Sequence, residues 1–135
     1  MKIEAVSKEF DIPKATLRYW ESLGLLPPIQ RDKSGYRFYS HRDLNWVMYI
    51  KVLRKAGMSI EKLKHYITLY RDPTSTRAES KELLIQQQVE LRDKIYEINK
   101  TLNYLSYKVD NFDSHMIGYE DEYLAYNNPD QAPKV

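Results

Sequence analysis

At 135 residues and 16.1 kDa the chain has room for one small domain, or for one small domain with a long appended element. It contains no cysteine, which excludes disulfides, thiolate metal ligands and thiol redox chemistry. The net charge of +2 is unevenly divided: residues 1–71 hold 14 Lys and Arg against 7 Asp and Glu, and residues 72–135 hold 7 against 12, so a half suited to a polyanion is joined to an acidic half.

Ile3, Val6 and Phe10 recur at spacings of three and four, which predicts a short amphipathic helix. Asp11, Ile12 and Pro13 break it, and a second helix follows over residues 14–22 with Leu17 facing inward and Gly24 placed to end it. Two short helices joined by a three-residue turn form a helix-turn-helix candidate. The expected outward face of the second helix holds Lys14, Thr16, Arg18, Tyr19 and Trp20. A solvated face usually mixes charge signs and avoids large aromatics; this one does neither.

Pro27 and Pro28 stop helical structure. Residues 29–31 and 36–39 are β-prone and flank a turn ending in Gly35, so they predict a hairpin. A hairpin after a helix-turn-helix is a wing. Ser40, with Asp43 three residues on, predicts a capped helix start. That third helix is expected to bury Leu44, Val47, Met48, Ile50 and Leu53 and to end at Gly57. Ser59 caps a fourth helix with Ile60, Leu63, Ile67 and Tyr70 inward, and residues 72–77 form a linker.

Residues 78–113 carry the strongest period. Leu84, Gln88, Leu91, Ile95, Ile98, Leu102, Leu105, Val109 and Phe112 alternate spacings of four and three, a heptad seam with one polar position. A chain this short offers nothing else long enough to cover such a seam, so a second copy is expected; the alternative is a helix folded back on its own domain. Residues 114–135 are acidic and rich in tyrosine, and read either as an unstructured tail or as a short ligand-contacting element. In the second case Tyr119, Glu120, Glu122, Tyr123 and Tyr126 would cage a cationic or aromatic ligand.

Catalysis lacks parts. His41, His65 and His115 fall in no metal-ligand spacing, and there is neither a glycine-rich phosphate loop nor a nucleophile elbow. No cofactor or metal is expected. Residues 1–10 carry Glu4 and Glu9 in place of a continuous apolar block, and no apolar run nears the roughly 18 residues of a membrane span. The expected compartment is the cytoplasm.

Three motifs are more specific: Ala15-Thr16-Leu17-Arg18-Tyr19-Trp20-Glu21, then Gly24-Leu25-Leu26-Pro27, then Ser34-Gly35-Tyr36-Arg37-Phe38-Tyr39, with Gly57-Met58-Ser59-Ile60 following in order. Together they resemble the mercury-resistance regulator (MerR) family of bacterial transcription factors over residues 2–70. The resemblance implies a mainly α fold: a winged helix-turn-helix DNA-binding domain (residues 1–71) followed by a long helix (residues 78–113) that forms an antiparallel coiled-coil homodimer. It implies sequence-specific regulation of transcription on a pseudo-palindromic promoter operator, by distortion of the promoter spacer, with double-stranded DNA and RNA polymerase as partners. Carried onto this chain, Arg18 would reach base edges in the major groove, Tyr19 and Trp20 would press on phosphate and sugar, and Tyr36 and Arg37 would grip the backbone. Tyr39 would either touch the backbone or support the wing from the core. Arg54 and Ser59 would meet phosphates near the operator centre. Trp20 stands where tyrosine is commoner, and Pro13 where many relatives have a serine cap. Cysteine-based sensing is closed to this chain, so any switch must be non-covalent or rest on other side chains; a small organic effector is one such switch. Two other readings compete: an architectural DNA-binding accessory of the excisionase type, and a coiled-coil adaptor that binds no DNA.

Overall fold

The computed structural model describes residues 1–125 and 128–133. The chain divides into two compact units, Met1–Leu91 and Arg92–Val135. The first begins with helices α1 (Ile3–Phe10) and α2 (Lys14–Ser22), then strands β1 (Gln30–Arg31) and β2 (Arg37–Phe38), then α3 (His41–Lys55) and α4 (Ile60–Arg71). Helix α5 runs Arg77–Asp110.

Local chemistry sets each boundary. α1 stops where Asp11 turns left-handed at φ 53°, and the Ile12 amide returns to Ser7 O at 3.0 Å. Pro13 opens α2 from the N-cap position without a side-chain cap. Gly24, at φ 76°, lets the chain reverse so that the Leu25 amide reaches Trp20 O at 3.0 Å; a side chain there would be strained. The hairpin pairs Gln30 with Phe38 and Arg31 with Arg37. Two strands are marginal alone, and here β2 gains a bridge from Lys2 to Phe38 on its other side. α3 has a complete capping box: the Asp43 amide donates to Ser40 Oγ at 3.2 Å, and the Ser40 amide to Asp43 Oδ2 at 2.8 Å. Ser59 caps α4, accepting from the Lys62 amide at 3.1 Å.

One core gathers Ile3, Val6, Leu17, Trp20, Leu25, Leu26, Tyr39, Val47, Ile50, Leu53, Met58, Leu63, Tyr66 and Ile67. Several expectations need correction. Trp20 is only 5% exposed and belongs to this core: it follows Leu17 by three residues, and that spacing puts both on one helix face. Met48 and Tyr70 are exposed. Val47 takes the inward position next to Met48, and on α4 Tyr66, just before Ile67, is the buried tyrosine.

The start of α5 packs on this core through Leu83 and Leu84, both half-buried, so its own chain covers part of Leu84. Gln88, Leu91, Ile95, Ile98, Leu102, Leu105, Val109 and Phe112 remain exposed. In the second unit the chain continues as short helical turns, Phe112–Met116, Ile117–Tyr119 and Glu120–Leu124, with Pro129–Gln131 further on. The tail is therefore largely helical over its described residues.

Candidate nucleic-acid interface

α2 presents Lys14, Arg18 and Tyr19 to solvent, with Thr16 half-buried beside them. Because Leu17 and Trp20 anchor the opposite face, the rotation of α2 is fixed and Arg18 is held outward. Tyr36 is 67% exposed at the wing, and Arg37 is half-buried. Lys2, Arg18, Arg31, Tyr36 and Arg37 share one cleft with Ile3 and Glu4. The fold thus gathers four cations and one carboxylate between the start of α1, the outward face of α2 and the wing. Lys2 and Arg31 escape a sequence reading because neither lies on a periodic face; only the hairpin register brings them to Arg18.

Two contacts stiffen this surface. Arg37 Nε donates to Glu21 Oε1 at 2.6 Å, both side chains about one-fifth exposed, which ties the wing to α2. At the wing tip Asp32 Oδ1 accepts from the amides of Ser34 and Tyr36 at 2.9 and 3.0 Å, and Arg31 Nη1 donates to Gly35 O at 2.9 Å. Tyr39 lies beneath the wing at 1% exposure, so its place is the supporting one and not a contact with DNA. Its hydroxyl has no hydrogen-bond partner among the described residues. Burial, reinforced by the nearby Glu21, raises its pKa above 10.0.

Arg54 and Ser59 flank the turn between α3 and α4, apart from the cleft. Gly57 takes φ 92° there, and Arg54 Nη1 donates to Met58 O at 2.6 Å. The turn is also held from α5: buried Gln87 donates through Nε2 to Ala56 O at 2.9 Å, and Lys62 Nζ bridges to Glu90 at 2.7 Å and Gln87 Oε1 at 3.4 Å.

In the second unit the rings of Tyr119 and Tyr123 lie 5.2 Å apart. Lys108 Nζ sits 4.1 Å from the centre of the Tyr119 ring, so the face that would receive an external cation already holds an internal one. Glu120 and Glu122 are exposed, and Tyr126 lies outside the described residues. Among the described residues no group of three or more His, Cys, Asp or Glu is placed to hold a metal ion, and no helix is long and apolar enough to cross a membrane.

A basic recognition-helix face, a wing braced against it and a capped turn beyond are the parts of a winged helix-turn-helix. A family profile described as "MerR HTH family regulatory protein" matches residues 1–69. The chain belongs to the MerR family. A second MerR profile, described as "MerR, DNA binding", matches residues 44–106. Among curated MerR relatives, the HTH-type transcriptional regulator AdhR of Bacillus subtilis is 42% identical over 91 residues, which are 67% of this chain and 65% of that protein. A crystal structure of a MerR family transcriptional regulator from Listeria monocytogenes superposes with a TM-score of 0.75 at 36% identity, covering 94% of this chain and 96% of that one. HiNmlR, a MerR regulator lacking the sensor domain and crystallised on promoter DNA, superposes at 0.73 and 26% identity, with 86% and 92% covered. The chain is a DNA-binding MerR-type transcriptional regulator, and the relatives are regulators and not enzymes.

Proposed function

We propose that this regulator acts as a homodimer on a pseudo-palindromic promoter operator, each copy setting Arg18 of α2 against base edges in the major groove. The observation that carries the reading is the cleft in which Arg18, Lys2, Arg31 and Arg37 converge beside the exposed Tyr36. A guanidinium at that position can bond guanine O6 and N7 together. Lys14, Thr16, Tyr19, Tyr36 and Arg37 contact the backbone around it, and Arg54 and the N-terminus of α4 at Ser59 take phosphates nearer the operator centre. The exposed apolar seam of α5, Leu91 through Phe112, pairs two copies and sets the spacing of the two recognition helices. RNA polymerase at the promoter is the further partner, with control through distortion of the spacer. HiNmlR, on promoter DNA, supports this mode of binding. With no cysteine in the chain, a thiol-based switch is closed, and we infer a non-covalent small-molecule effector.

Binding assays on operator and random DNA over a salt series test the assignment. Arg18→Ala should weaken operator binding by roughly 1 to 3 kcal/mol with little effect on random DNA. Arg54→Ala should weaken both and reduce the salt slope by about 1. Unchanged discrimination in Arg18→Ala would remove Arg18 as the reader.

A further inference from the structure

On the first unit, away from the basic cleft, four aromatic side chains form a connected group. The Trp46 ring stands edge-on to Tyr49 at 5.8 Å and to Tyr70 at 5.1 Å, with interplanar angles of 72° and 77°. Tyr49 and Tyr66 join hydroxyls at 2.6 Å. Beside this group lies a pocket of about 220 Å³, walled by Pro27 and Pro28, Trp46 and Tyr70, with Arg42 and Arg71 at its rim. Three segments build it: the loop leaving the recognition helix, the start of α3 and the end of α4.

The charges at the pocket are of one sign. No carboxylate lines it. The neighbouring Asp43 is 2% exposed and committed to the Ser40 amide and to Arg42 Nη2 at 3.1 Å. Asp72 Oδ1 accepts from the amide and hydroxyl of Thr74 at 2.8 and 2.7 Å. The Arg71 guanidinium makes no hydrogen bond or ion pair among the described residues. An aromatic wall beside the unpaired Arg71 guanidinium, with Arg42 already shared with Asp43, suits a flat apolar body ending in a planar anion, because the guanidinium fork matches carboxylate geometry. The volume is below the usual range for drug-sized ligands, which limits the ligand to about one ring. We propose that this pocket binds a single-ring aromatic carboxylate, its ring against Trp46 and Tyr70 and its carboxylate on Arg71 and Arg42. Only its role as the effector site rests on the regulator reading; the binding itself does not.

The chain has two tryptophans, and Trp20 is buried in the core, so ligand-dependent fluorescence reports Trp46. The test titrates the full chain with sodium benzoate, and with benzamide as the uncharged match, reading fluorescence and calorimetric heat. Benzoate should give a saturable change, and benzamide and Arg71→Gln should each bind about tenfold more weakly, the loss of one charge-assisted pair. Trp46→Phe should lose the fluorescence change and bind more weakly by calorimetry, since Trp46 walls the pocket. Absence of saturable binding, or equal binding of benzamide and benzoate, or full affinity in Arg71→Gln, overturns the site. Binding that leaves operator affinity unchanged keeps the site and overturns its role as the switch, whereas a failure of operator binding itself would strike the regulator reading alone.

Discussion

Gln87→Met removes one buried donor while nearly keeping side-chain length and volume. Gln87 is 4% exposed and donates to Ala56 O, the carbonyl at the end of α3. Leaving a buried acceptor without its partner costs roughly 1 to 3 kcal/mol. Ala56 is itself half-buried, so water can replace part of the loss, and methionine fills the site without a large void. The net destabilisation should be about 1 kcal/mol. Urea unfolding at fixed protomer concentration reads it as a lower midpoint at unchanged slope, since dimerisation would otherwise make stability depend on concentration. The same bond steadies the turn between Arg54 and Ser59, so DNA affinity should fall on operator and random sequence alike, by less than in Arg54→Ala. An unchanged midpoint together with unchanged DNA binding would refute the latch.

Tyr39→Phe should stabilise the fold by about 1 kcal/mol, because it deletes a buried hydroxyl that has no partner among the described residues. The raised pKa of Tyr39 adds a pH signature: its contribution is intact below the ordinary value of 10.0 and is lost as pH rises through the higher folded value, since the unfolded chain gives up the proton first. Thermal melts between pH 8 and about 11 should show a shallower alkaline decline in Tyr39→Phe, and equal declines would sink the idea. Ile98, 65% exposed in the single chain, should be covered in the dimer at about 1.5 to 3 kcal/mol per copy. Ile98→Asp should sediment as one copy where the parent sediments as two, and a parent that is monomeric at micromolar concentration would refute the seam.

Signals confined to a few neighbouring residues were legible in the sequence. Ser40 with Asp43, Ser59, Gly24 and Gly57 each mark a boundary that the structure places within two residues, because a cap or a left-handed turn is decided by local chemistry. Inward and outward faces were harder. Trp20 follows Tyr19 directly, and the two are separated only by Trp20's three-residue spacing from Leu17, which the packing of α2 on α1 turns inward. Gln86, Gln87 and Gln88 form an uninterrupted run, so composition cannot tell which one meets the Ala56 carbonyl. The heptad pattern selects Gln88, whereas contact with the turn between α3 and α4 selects Gln87. Lys2 and Arg31 join Arg18 only through hairpin register and a single bridge, a long-range arrangement with no local sequence signal. The pocket at Trp46 likewise depends on three segments far apart in the chain.

The ion pair between Arg37 and Glu21 bears on how a promoter must meet this protein. With the wing fastened to the recognition helix, the span between groove reader and backbone grip is set before any DNA arrives, and little ordering entropy is lost on docking. On the operator reading proposed above, a wing held at a set span from the recognition helix favours duplexes that already fit it or that deform easily. Base steps that nothing touches then acquire a preference, because pyrimidine–purine steps unstack and bend more readily than stiff A-tracts. On that reading, two promoters with the same contacted bases but half-sites of different stiffness should be bound with different affinity.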